Sequence, residues 1–414
     1  MMRYAKEGVG EAIVDAVASL GAITQERTGF QSFLANYNHI TPTLTTLQQV
    51  YDKIQEIKKE IADIGGREGM YMNGMLDAYA MDARIMDGDQ VPYKEAIATL
   101  LQLDIRPIPQ DKYDMLSNRI AETLGSMGYT GHVSQQIKKY LDDTAIAPEL
   151  VAKTADRFLE RAKQATLKRV ITLPEGDGIN GVKDTRNVFW SGYSAYAGNF
   201  RGNLTFNIDR PWSIPTFAPI LCHEGYPGHQ AFYCNWDWQF QQGKFPLEAA
   251  CYSINANPTN PMFEGCPETG LRFLGWDDPN QDTPEITDEE KRTFMLGRDI
   301  LDLQRMIMMQ GNYLHNVEGA SKEDTINHMT STGFYFRVEA ENTFTFITHP
   351  VQRHCYPAYY YGHWMIKESF DRTPVEKRGE LFHLLYNVPQ TTQTLIKEVG
   401  ELIGDPNFDP LAKW

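Results

Sequence analysis

Apolar residues recur at three- and four-residue steps through most of the first 170 positions. Leu47, Val50, Tyr51, Ile54, Ile57, Ile61 and Ile64 form one such stripe, with lysines and glutamates on the other face, and predict an amphipathic helix over 48–64. The same spacing predicts helices over 70–86, 93–103, 115–124, 133–144 and 149–168. Pro107 and Pro109 interrupt the pattern, because proline removes a backbone donor and clashes with the preceding turn.

The texture changes near residue 170. Segments 170–173 and 187–190 are short, branched and aromatic, and predict strands. Segment 203–208 alternates polar and apolar residues, as a strand with one buried face does. After Thr216 the helical pattern returns. The longest stretch, 288–315, sets Leu296, Ile300, Leu303, Ile307 and Leu314 on one side. Asp288, Glu289 and Glu290 in its first turn complement the helix dipole. The expected fold is mainly α, with a small β element. An N-terminal helical lobe over 1–170 and a second lobe over 171–414, which carries the candidate metal-binding and catalytic residues given below, are expected, or one composite domain, since 414 residues exceed a single small core.

Acidic residues outnumber basic ones by 54 to 39, a net charge of −15, which argues against sequence-independent nucleic-acid binding. The five cysteines, Cys222, Cys234, Cys251, Cys266 and Cys355, are odd in number and form no CxxC pair, a pattern of reduced buried thiols. No convincing secretory signal opens the chain, and no run reaches the apolar length of a bilayer span. A soluble cytoplasmic protein is expected, with no membrane partner and no particular oligomeric state implied.

The chemistry concentrates in Leu221-Cys222-His223-Glu224-Gly225-Tyr226-Pro227-Gly228-His229-Gln230. In the familiar HExxH helix, two histidines four apart share a face and bind zinc while the glutamate acts as base. Here the spacing is HExxxxH, and six steps of about 100° put the second histidine roughly 120° away on an ideal helix. Two readings follow. A bulge at Pro227-Gly228 absorbs two residues and returns His229 to the face of His223. Alternatively, the segment starts a helix and the histidines are unrelated.

His-Glu-Gly-Tyr-Pro-Gly-His-Gln resembles the signature of the bacterial DUF885 family, HE-x-x-PGH followed by His or Gln. That family is itself similar to the helical gluzincin metallopeptidases, among them the M32 carboxypeptidases and the angiotensin-converting enzyme. Arg201-Gly202-Asn203-Leu204-Thr205-Phe206-Asn207 is similar to the family's Arg-x-Gly strand ending in Asn, and Phe263-Glu264-Gly265 to its FEGW segment. Pro350-Val351-Gln352 with Tyr356, Tyr359 and Gly362 is similar to its P-G-Q…Y…G stretch. The likeness covers roughly residues 195–370. The chain departs from it in being shorter, in carrying Cys266 and Pro267 after Glu264-Gly265, and in an insertion in the tyrosine segment.

The resemblance implies a gluzincin-like fold with one zinc ion, or another divalent metal, on His223, His229 and Glu264. It implies Glu224 as general base. Glu268, four residues after Glu264 and so on the same helix face, would orient a ligand histidine from behind. Tyr359 is the chosen oxyanion donor, with Tyr356 and Tyr360 as rivals and His315, His349, His354 and His363 as further candidates. Arg201 and Asn207 would contact substrate, the strand around 203–208 pairing with an extended peptide. The implied activity is hydrolysis of short peptides by metal-activated water. The competing readings are a zinc enzyme acting on a non-peptide amide or small metabolite in a specialised biosynthetic pathway, and a non-catalytic binding protein with a vestigial site. No GxSxG and no phosphate-cradling glycine loop offers another chemistry.

Overall fold

The strongest periodicities become helices. The computed structural model describes residues 1–29, 33–253, 255–334 and 336–414, with 33–35 described by backbone alone. The 48–64 stripe forms Leu47–Glu60. Its start is a reciprocal cap, in which Gln49 N donates to Thr46 Oγ1 and Thr46 N donates to Gln49 Oε1, both at 3.2 Å. Helix Val9–Thr28 precedes it, and Gly66–Met86, Tyr93–Leu100, Gln110–Ser126, Val133–Asp143 and Val151–Arg169 follow. The architecture is mainly α with small sheets.

Two strand expectations are corrected. Residues 170–173 form no strand, because the amides of Val170 and Ile171 both return to Thr166 O and close the preceding helix. Residues 187–190 form a loop whose groups are taken by side chains. Asn187 N donates to Asp209, the carbonyls of Val188 and Trp190 accept from Asn207, and Phe189 O accepts from Arg210. The strands lie at Gly178–Thr185, Gly192–Gly198 and Arg201–Asn207. Arg201–Asn207 is central, parallel to Gly178–Thr185 and antiparallel to Gly192–Gly198. Both of its edges are therefore occupied, so it cannot take up an extended peptide by edge pairing.

Six helices build the site: Ile214–Glu224, His229–Gln241, Asn260–Glu268, Asp288–Asn316, Arg337–Thr348 and Pro357–Arg372. Three apolar cores hold them. One packs Val17, Leu20, Ile54 and Leu76 against Phe232, Phe263 and Leu395. A second packs Ile97, Ile120 and Ile137 against Leu303, Ile307 and Tyr360. The third joins Phe158 and Leu159 to Phe206, Phe217 and Trp276. Each draws side chains from both sides of residue 170. Among the described residues, no helix is long and apolar enough to cross a membrane.

One buried acid gives the fold a pH dependence. Asn255 Nδ2 donates to Asp82 Oδ2 at 2.6 Å and to Thr24 Oγ1 at 2.9 Å. Burial lifts the Asp82 carboxyl from 3.8 to about 6, against the Asn255 hydrogen bond and the charge of Arg353. A raised folded value means stability that is full below about pH 4 and is lost as pH rises through 6. Two pH units correspond to about 3 kcal/mol. Asp82→Asn keeps an acceptor for Asn255 and removes the charge. It should exceed the wild type by up to about 3 kcal/mol in urea unfolding at pH 8, with the gap closing at pH 4. An equal gap at both pH values would refute this account of Asp82.

Candidate metal centre

The histidine motif is two helices, not one bulged helix. Ile214–Glu224 ends with Gly225 N on Leu221 O. The chain then turns through a cis Tyr226–Pro227 peptide, Gly228 N donates to Cys222 O at 3.0 Å, and a new helix begins at His229. The expected bulge is thus replaced by a break. It resolves the phase mismatch because the second helix axis need not continue the first. The turn is held from outside. Tyr226 Oη donates to Asp177 Oδ2 at 2.8 Å, Gln230 Nε2 donates to Asp177 Oδ1 at 3.1 Å, and Lys163 Nζ lies 3.0 Å from the same carboxylate. Tyr386 Oη donates to Pro227 O at 2.8 Å.

Gly228 makes the close return possible, since a Cβ there would fall 1.9 Å from His223 O. Gly228→Ala must push the two histidine helices apart. It should destabilise the protein by about 3 kcal/mol, the upper end of ordinary overpacking, and loosen the cluster's hold on any divalent ion it takes. Thermal melts and zinc titration check both effects; an unchanged zinc affinity would show that the turn does not set the ligand spacing.

Glu264 arrives by a second close approach. Asn260–Glu268 crosses Pro357–Arg372 backbone to backbone. A Cβ on Gly265 would lie 2.3 Å from Gly362 O, and one on Gly362 would lie 2.2 Å from Pro261 O. Only glycines allow this crossing, and it brings Glu264 and Tyr359 to one place.

The three side chains converge. His223 Nε2 and His229 Nε2 are 3.1 Å apart, and Glu264 Oε2 lies 3.3 Å from the first and 3.5 Å from the second. All three are largely buried, and their ligand atoms lie within 4.8 Å of one another. Glu264 Oε2 is a buried oxygen that accepts no hydrogen bond, which is the state expected of a carboxylate reserved for a cation. Electrostatics agree. Burial opposes charge on His223, yet Glu264 and Glu268 outweigh it and lift the imidazole to about 10. Burial likewise opposes charge on Glu264, but His229 and His223 outweigh it and draw the carboxyl down to about 2. The cluster is built to hold positive charge, and two imidazoles with one carboxylate suit zinc and other divalent ions.

Behind His223, Nδ1 lies 3.4 Å from Glu268 Oε1. Glu268 is fully enclosed. Arg298 Nη1 donates to its Oε2 at 2.8 Å, and Arg305 Nη2 donates to its Oε1 at 2.6 Å. Burial would neutralise Glu268; the two arginines overcome that and hold it well below the usual carboxylate range. Arg298 is fixed in turn by Asp302 at 2.6 Å, and Asp302 lies 3.4 Å from His363 Nε2. Sequence reasoning missed this support. Its trace was present in the spacing of Arg298, Asp302 and Arg305 along one face of the long helix.

A cleft of about 260 Å³ opens onto the cluster, with His223, Glu224, Arg305, Tyr356 and Tyr359 among its lining residues. Burial raises the Glu224 carboxyl above its ordinary value, partly offset by His223 and His229. The Tyr359 ring stacks on His223, centroids 6.0 Å apart, and the Arg305 guanidinium lies over the Tyr359 ring, 5.0 Å from its centroid. Tyr360 does not line the cleft. Nor do the other candidate histidines. His315 Nδ1 lies 2.8 Å from Ala320 O, His349 stacks on Phe189, His354 is buried against Tyr93, and His363 is 3.1 Å from Thr269 Oγ1. Arg201 and Asn207 stand apart from the cleft. Arg201 ties Asn180, Ile179 and Gly176, while Asn207 holds the carbonyls of Val188 and Trp190. Asn207 thereby shapes the cleft wall without lining it.

No protein-family model matches this sequence, and no curated protein matches it. Two solved structures share the fold. One, described as a candidate lipoprotein from Colwellia psychrerythraea, superposes with a TM-score of 0.55 at 14% identity, over 86% of this chain and 60% of that one. The other, described as a candidate lipoprotein of unknown function from Shewanella oneidensis, has a TM-score of 0.52 at 14% identity, over 86% of this chain and 73% of that one. The chain thus spans 60% of the length of the first. At this identity the likeness speaks to fold alone, and the DUF885 resemblance rests on its motifs. The chain is a mainly α protein sharing its fold with these two structures, and it carries a His-His-Glu cluster able to hold a metal ion.

Proposed function

We propose that the protein is a metal-dependent hydrolase of the gluzincin type, acting on short peptides. One observation carries the reading: His223, His229 and Glu264 converge beside a cleft that His223 and Glu224 line, where Glu224 offers a carboxylate with no ion pair of its own among the described residues. A divalent ion on that cluster, zinc by its donor set, supplies Lewis acidity and lowers the pKa of water towards neutrality. Glu224 takes the proton from the attacking water and delivers it to the leaving nitrogen. Tyr359, stacked on His223, donates its hydroxyl to the oxyanion of the tetrahedral intermediate. Glu268 Oε1, 3.4 Å from His223 Nδ1, favours the proton on that nitrogen and so leaves Nε2 to face the cluster. The outer strand Gly192–Gly198 replaces the central strand as the place where extended substrate pairs, since a Cβ on Gly192 would sit 3.0 Å from Glu224 Oε1.

The small cleft volume favours a second reading, hydrolysis of a compact non-peptide amide. Zinc-loaded protein incubated with di- to pentapeptides separates them. Turnover that a chelator removes and zinc restores supports the peptidase; stoichiometric zinc without peptide turnover moves the reading to the second substrate class. Protein that binds no metal would leave only a vestigial binding site. The two similar structures, described as candidate lipoproteins, set an envelope location beside the cytoplasmic one, and fractionation of cells decides between them.

A further inference from the structure

The cleft that leads to the cluster is walled by aromatic rings, and four of these are left half-buried: Phe189, Trp190, Phe346 and Tyr359. Three of them form a connected path. Tyr359 stacks on His223; Phe346 meets Tyr359 edge to face at 6.2 Å; Phe189 meets Phe346 edge to face at 5.7 Å. Trp212 faces the same space from the other wall. Aromatic rings serving only as core are covered, as Phe206 and Phe217 are in the neighbouring cluster. Rings left half-open in a concavity retain apolar faces that a ligand can cover. Such a wall favours another ring over an aliphatic chain, because a ring adds an offset or edge-to-face quadrupole contact that a chain lacks. At about 260 Å³ the space is below the roughly 300–1,000 Å³ typical of pockets for drug-sized ligands, so it admits one ring beside the reacting bond and little more.

We propose that the substrate carries a single flat aromatic group adjoining the scissile amide, seated against the wall that Phe346, Phe189 and Trp190 form. This rests on the hydrolase reading above. The rings set specificity, while His223, His229, Glu264 and Glu224 set chemistry.

The test uses zinc-loaded full-length protein and three hydroxamates that share one metal-binding head: acetohydroxamate, hexanohydroxamate and benzohydroxamate. Calorimetry should show benzohydroxamate binding on the order of 10-fold tighter than hexanohydroxamate, and tighter still than acetohydroxamate. In Phe346→Leu, which keeps the bulk of the wall, that preference should shrink to within about 3-fold while acetohydroxamate affinity stays unchanged. Trp190→Leu, at a loop position, repeats the test if the first variant is poorly folded. Equal affinities for the benzo and hexano compounds overturn the aromatic assignment and leave the metal reading intact. Failure of all three to bind protein that holds zinc overturns both.

Discussion

Glu224→Gln should hold zinc as well as the wild type does and yet hydrolyse substrate about 10³-fold more slowly. Glutamine fills the same space, so neither fold nor ligand geometry should change. What is lost is a group that can take and return a proton. Glu224 is suited to that role because the three neighbours that could bind metal leave it out: it forms no ion pair with His223 or His229, while Glu264 does. The comparison to make is zinc content by mass spectrometry beside single-turnover rate. Parallel loss of metal and rate would make Glu224 a ligand, and full activity would remove it from the mechanism.

Arg298→Met should cost the protein stability and metal affinity together. Arg298 is buried between Glu268 and Asp302, bonding the first at 2.8 Å and lying 2.6 Å from the second. Methionine fills the volume but strands two buried carboxylates. Breaking one side of a buried ion pair costs about 3–5 kcal/mol. Arg305 still holds Glu268, which places the expectation near the lower figure. Glu268 also steers His223, so zinc affinity should fall about 10- to 100-fold. The double variant Arg298→Met, Glu268→Gln should recover part of the stability and none of the zinc affinity. That split separates support of the ligand from support of the fold, and additive losses would deny any coupling between the two residues.

Much of this was legible in the chain. Helices with a clear apolar stripe, such as Leu47–Glu60 and Asp288–Asn316, formed close to where their spacing put them. His223, His229 and Glu264 came together as the motif resemblance implied. The failures have physical causes. Val170 and Ile171 are β-branched, but their amides were claimed by a helix end before any strand could pair with them. The path between the two histidines was read as a bulge because periodicity describes position around one axis and says nothing of a second. Asn207 resembles a substrate contact in sequence, whereas its amide is spent on the loop at Val188 and Trp190. Arg298 and Arg305 escaped notice because a helix face bearing charges every three or four residues looks the same whether it meets solvent or a buried glutamate. Only the fold, which sets both guanidiniums on the Glu268 carboxylate, shows which applies.

Crystals of zinc-loaded protein, measured on both sides of the zinc absorption edge, address the central claim most directly. The account predicts one strong anomalous peak about 2.0–2.2 Å from His223 Nε2, His229 Nε2 and a Glu264 carboxylate oxygen, with Glu224 outside bonding range. A peak elsewhere, or none at these three side chains under saturating zinc, would contradict it.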